Sequence, residues 1–161
     1  MSSVSVIIKR KKNKMLETIL AISGKPGLFR LVSRGNRSLI VETLDAAKRR
    51  MPAFATDKVI SLADIAMYTD GGEVPLRDVL NRVKEKEGGQ PASINPKKAS
   101  ARELGEYFAE VLPDYDRDRV YTTDIKKLIS WYNLLVAAGV TDFDKQLKPT
   151  EGDNIDDRTE E

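Results

Sequence analysis

Gly88-Gly89-Gln90-Pro91 splits the chain into two stretches with different hydrophobic periods, so no single regular architecture can run from end to end. Ahead of it, short apolar runs alternate with turn clusters up to Asp70-Gly71-Gly72. Beyond it, apolar residues recur at the three-and-four spacing of helices. The polar, proline-containing stretch from Gly88 to Lys98 reads as an interdomain linker. This gives an α+β protein: a small barrel with a trailing helix over residues 15–87, a linker over 88–99 and a helical domain over 100–146.

In the first part, Ser23-Gly24-Lys25-Pro26-Gly27 is a turn cluster, and Leu28 to Val32 and Leu39 to Thr43 read as strands. Gly35-Asn36 between them supplies the positive φ angles of a two-residue hairpin turn. That register pairs Leu31 with Ile40 and Val32 with Leu39, and sets Arg34 against Arg37. Both faces of these strands are apolar, which suits a small closed barrel partly covered by a helix. Met51 to Phe54 and Ile65 to Tyr68 are further extended pieces, with Val59-Ile60 leading into a single helical turn at Ser61 to Asp64. Phe29 and Phe54 read as core. Pro75, at a first turn where its missing N–H costs nothing, starts a helix carrying Leu76, Val79, Leu80 and Val83 on one face.

The helical part opens on a capping box, Ser100-Ala101-Arg102-Glu103, followed by Leu104, Tyr107, Phe108, Val111 and Leu112. Pro113 stops that helix. A second begins with Thr122 or Thr123 as N-cap, carries Ile125, Leu128, Ile129, Tyr132, Leu135 and Val136, and ends at Gly139. The pair forms a helix hairpin too small to stand alone, so it must pack on other apolar surface.

The chain has 161 residues with no histidine and no cysteine, which excludes disulfides, thiolate nucleophiles, zinc fingers and imidazole bases. Its formal charge of +2 hides a polarity. Residues 1–14 carry five cations and no acid, whereas residues 147–161 carry six acids against Lys148 and Arg158. Both ends read as solvated, disordered segments. The apolar run of residues 4–8 precedes the charges, the wrong order for a secretion signal, and no segment approaches the roughly 20 apolar residues of a membrane span. Cytoplasmic residence is the expectation, and residues 1–14 read as an extension from an upstream start codon.

Three patterns invite a chemical reading. Asp114, Asp116 and Asp118 alternate like calcium ligands, but the glycine and glutamate that an EF-hand needs at positions 6 and 12 are Arg119 and Ile125. Gly24-Lys25-Pro26-Gly27 lacks phosphate-loop spacing, and Pro26 removes a donor. Both read as turns, and no metal or cofactor is expected. Between Lys25 and Lys58 lie eight Lys or Arg against three acids. Such a run is either a solvated face or a backbone-contacting nucleic-acid site formed by Lys25, Arg34, Arg37, Lys48, Arg49 and Arg50. Trp131 and Tyr132 point about 100° apart on one helix; Tyr132 fits the apolar stripe, leaving Trp131 as a candidate interface anchor. Glu103, Glu106 and Glu110 are helix-surface carboxylates, and no residue stands out as a nucleophile.

The runs Ile19 to Val32, Asp64 to Thr69 and Gly72 to Leu76 resemble an uncharacterised Bacteroidetes family known as a domain of unknown function, and Tyr107 to Pro113, Arg119 to Tyr121 and Asp124 to Asn133 are similar to its helical part. The resemblance covers about residues 15–140. It implies an SH3-like barrel followed by a helical domain, with members starting near Met15, and no activity. The function expected is a non-catalytic module that contacts another protein or a second copy of itself. Weak sequence-independent nucleic-acid binding is the alternative, and a carboxylate-dependent enzyme the third.

Overall fold

β-Branched and leucine-rich runs bounded by turn residues build the first part of the chain. A computed structural model describes residues 19–54 and 56–146; the expectations for residues 1–14 and 147–161 lie outside them. Five strands, β1 (Ile19–Ile22), β2 (Phe29–Arg34), β3 (Ser38–Thr43), β4 (Arg50–Phe54) and β5 (Val59–Ser61), form one antiparallel sheet in the order β4-β3-β2-β1-β5. The four residues of β1 precede the turn cluster, where the sequence reading placed no strand. Leu20, Ile22, Phe29, Val41 and Ala53 make the core of this sheet, with Leu31, Leu39, Met51 and Val59 packed against it. Burying each large member is worth roughly 1.5–3 kcal/mol. β4 and β5 are not hydrogen-bonded to each other, so no closed barrel forms among the described residues.

The β2–β3 hairpin departs from the expected register. Its loop has three residues, Gly35 to Arg37, closed by the Gly35 N–H donating to the Ser38 carbonyl (2.8 Å), and Arg37 rather than Gly35 or Asn36 holds a positive φ of 75°. Arg34 therefore pairs with Leu39, not Arg37. Continued unbroken, that register would set Leu31 opposite Glu42 on the charged face. A bulge between Leu31 and Ser33 restores Leu31 to Val41 and Phe29 to Thr43 on the core side and leaves Val32 36% exposed. A β-carbon in the left-handed region costs about 1 kcal/mol. Arg37→Gly should therefore be at least as stable as the native protein and about 1–2 kcal/mol more stable than Arg37→Val; equal melting temperatures for the two variants would deny the strain.

β4 is an edge strand. The Thr43 N–H donates to the Arg49 carbonyl (2.9 Å), so by alternation Met51 and Ala53 bond to β3 while Arg50, Pro52 and Phe54 turn their backbone groups to the open edge. Pro52 has no N–H, and the Phe54 N–H donates to Asp57 Oδ2 at 2.8 Å. Phe54 is 52% exposed, contrary to its reading as core: with Ala53 facing in, period two turns Phe54 out.

After a 3-10 turn at Leu62–Asp64, capped by Ser61 Oγ accepting from the Ala63 N–H, the chain divides into a second compact unit, Ala66–Phe143. It opens with a hairpin, β6 (Ala66–Thr69) and β7 (Gly72–Pro75). β7 carries the strand region past Asp70-Gly71-Gly72, where the apolar pattern ends it; Asp70-Gly71 is a hairpin signal. The helices α1 (Leu76–Glu87), α2 (Ala101–Val111) and α3 (Thr122–Ala137) follow, and α4 (Phe143–Gln146) starts on the unit's last residue, with Asp144 onward grouped with the first unit. α1 buries Leu76, Val79, Leu80 and Val83 and ends at Gly88 in the left-handed region. The Ser100–Glu103 capping box starts α2 as expected. α3 has Tyr121 at its N-cap rather than Thr122 or Thr123, with Asp124 Oδ2 accepting the Tyr121 N–H (2.9 Å).

The boundary at Ile65/Ala66 moves α1 out of the barrel domain and into the helical one. Residues 88–99 are likewise no linker between domains but part of the second unit. The Tyr132 hydroxyl donates to the Gln90 carbonyl (2.7 Å), and the Ala92 N–H to Asn133 Oδ1 (2.8 Å). The core here gathers Leu104, Phe108, Leu128, Ile129, Tyr132 and Phe143, with the Phe108 and Tyr115 rings 4.9 Å apart. The fold is mixed α+β.

Candidate functional site

Strand direction decides which of the basic residues meet. Lys25 sits in the β1–β2 turn, its N–H donating to the Ile22 carbonyl (3.0 Å), and Lys48 and Arg49 lie in the β3–β4 loop. The Leu44 N–H donates to the Leu28 carbonyl (3.0 Å), joining these two connections at one end of the sheet. Asp45 builds the second of them: its Oδ1 accepts from the Thr43 hydroxyl (2.8 Å) and the N–H groups of Ala47 and Lys48 (3.0 and 3.1 Å), and Lys48 is held at φ 47°. The Thr43 hydroxyl, then the Lys48 N–H, hold the Asp45 carboxyl below the ordinary aspartate value. Arg34 and Arg37 lie at the opposite end, roughly 17 Å away along β2. The six basic candidates are thus split rather than assembled into one patch.

Arg50 belongs to neither end. On the outward face of the sheet Arg30, Glu42 and Arg50 stand directly opposite one another on β2, β3 and β4. Glu42, only 8% exposed, lies between the two guanidinium groups, with Arg50 Nε 3.1 Å from Oε1 and Arg30 Nη1 3.8 Å from Oε2. The same face carries Ile40 opposite Pro52, and Ser38 opposite Phe54. In the sequence Arg30 and Glu42 are only charges; the strand register brings them together.

In the second unit Trp131 is half-buried beside the fully buried Tyr132. Asp116 shapes its own loop, accepting from the Asp118 N–H (2.9 Å) and Arg119 Nε (3.1 Å), and these two donors lower its pKa in that order. Arg117 and Arg119 stack on the rings of Tyr115 and Tyr68, 4.2 and 4.4 Å from the centroids. Among the described residues no three carboxylates converge as metal ligands.

Glu87, the last residue of α1, accepts at Oε2 from the Tyr107 hydroxyl and from the Ser93 N–H and hydroxyl (both 3.0 Å). Burial pushes its carboxyl up, but these three donors outweigh burial and set it below the ordinary 4.5. Burial, then Glu87, raise the Tyr107 hydroxyl. A depressed carboxyl adds stability that is complete above its unfolded value and is lost as pH falls through the folded one. Glu87→Gln should therefore cost about 1 kcal/mol at pH 7 and flatten the fall in melting temperature below pH 4.5; an unchanged acid profile would contradict this role.

Two family models match the chain, Domain of unknown function (DUF5606) over residues 16–62 and Domain of unknown function (DUF6852) over residues 65–135. They meet where the two compact units divide. A solution NMR structure of a structural genomics target from Bacteroides vulgatus is 69% identical, with 81% of this chain and 93% of that one covered and a TM-score of 0.69. The chain belongs to an uncharacterised Bacteroidetes family. None of the curated proteins matches it. Membership of the family brings no assigned ligand or activity. No helix among the described residues is long and apolar enough to cross a membrane.

Proposed function

We propose that this protein is a non-catalytic, cytoplasmic protein-interaction module whose contact surface is the outward face of β3 and β4. The observation that carries this reading is Phe54, a half-exposed aromatic beside Ile40 and Pro52 on a face rimmed by Arg50. An exposed aromatic with arginine at its border has the composition of an interface anchor. The first unit is read as an SH3-like barrel, and the connection between its edge strands supports this. Residues 55–58 bridge β4 and β5 over at most about 18 Å, whereas the edges of a flat five-stranded sheet lie roughly 19 Å apart. A curled sheet fits that reach. A non-catalytic role is consistent with the absence of His and Cys and with the engagement of Glu42 and Glu87 in structural pairs.

Affinity purification from the native cell, with and without nuclease, tests the reading. A protein partner should survive nuclease and be retained at least tenfold less by Phe54→Ser. Loss of all partners on nuclease treatment would favour nucleic-acid binding instead, through Lys25, Lys48 and Arg49, the three candidates that do share one end of the sheet. That binding would weaken steeply with salt.

A further inference from the structure

We infer that the end of the first unit formed by the β1–β2 turn and the β3–β4 loop is a docking site for this chain's own acidic C-terminal segment, residues 147–161. Lys25, Lys48 and Arg49 are joined there by Lys58, whose carbonyl accepts the Ser23 N–H at 2.9 Å. Lys25, Lys48 and Arg49 are exposed on short, internally bonded connections, so their backbones are already ordered when a ligand arrives. Asp45 is the carboxylate built into this end, and its Oδ1 is taken up by three donors within its own loop. Asp57 turns instead to the Phe54 N–H.

The choice of occupant rests on charge and reach. Residues 19–65 carry eight cations against four acids, whereas residues 66–143 carry eleven against thirteen, so an acidic segment is attracted to the first unit and repelled by the second. The six acids of residues 147–161 leave that segment strongly negative. Its fifteen residues extend to about 50 Å, ample to pass along a sheet of this size. Asp144, just before it, already belongs to the first unit. Exposed ion pairs are individually worth about 0–1 kcal/mol, but a tethered ligand is present at millimolar effective concentration. A few such pairs are enough to hold it. An external acidic partner would then have to displace the segment. The inference is independent of the protein-partner reading, because it requires no second molecule.

Amide NMR spectra of the full chain test it. The native protein is compared with a variant carrying E151Q, D153N, D156N, D157N, E160Q and E161Q. Amides of residues 24, 25, 27, 28, 45–49 and 58 should shift between the two at low salt. The difference should vanish in 1 M NaCl, where charges separated by more than about 3 Å are screened, and in a Lys48→Glu/Arg49→Glu background. The inference is overturned if these amides do not move, if the movement is confined to residues 9–14 of the basic N-terminal arm, or if the Gly35–Arg37 loop at the far end moves equally.

Discussion

Phe143→Ala should destabilise the second unit by about 3–5 kcal/mol, the range for emptying a fully buried aromatic site. Phe143 is completely buried at the start of α4, its ring 6.3 Å from that of Tyr132 and its face 5.9 Å from the Lys84 ammonium. Lys84 also donates to the Thr141 carbonyl (2.8 Å), tying α1 to the segment that delivers Phe143. Urea unfolding followed by tryptophan fluorescence reads this unit directly, since Trp131 is the single tryptophan and lies within it. The midpoint should fall sharply for Phe143→Ala. For Phe143→Leu, which keeps most of the volume, the loss should be near 1.5 kcal/mol or less. A native midpoint in the alanine variant would remove Phe143 from the core.

Glu42→Ala should weaken the first unit by about 2–3 kcal/mol, because it takes the shared carboxylate from between two guanidinium groups, one of them, Arg30, only 23% exposed. The figure stays below that of a deeply buried pair because Arg50 is 64% exposed and screened by water. Removing Arg50 alone should for the same reason cost under about 1 kcal/mol. All tyrosines and the tryptophan lie in the second unit, so ring spectroscopy is blind to this change. Amide exchange at Val41 and Met51, cross-strand partners beside the charged row, should speed up roughly 30- to 150-fold. Unchanged protection would mean that the row of charges contributes nothing to the sheet.

Helix faces and caps were legible because their causes are local. Leu76, Val79, Leu80 and Val83 occur at fixed intervals, the Ser100–Glu103 box spans one turn, and Gly139 ends α3 at a φ of 79°. The sheet was less legible, since its pairings depend on loops whose shape is settled by distant packing. The conflict between the Gly35–Arg37 loop and the core positions of Phe29 and Leu31 produces a bulge that no local rule places at Val32. The Arg30–Glu42–Arg50 row follows only once that register is known. The division between units was misplaced because Gly88 to Lys98 has a linker's composition, while its backbone is held by Tyr132 and Asn133 from a helix some 40 residues on. Phe54 was within reach of the sequence, because period-two alternation from Met51 and Ala53 turns it outward.

The open side of β4 bears on how this protein meets its own copies. A foreign strand aligning there would look for amide donors at Arg50, Pro52 and Phe54. Proline has none, and Asp57 already occupies that of Phe54. Only one of the three positions, Arg50, still offers an amide hydrogen for templating, too few for a stable ladder. The β4 edge can therefore display a half-exposed aromatic to a partner's side chains without itself offering the backbone rung on which identical chains would stack into fibres.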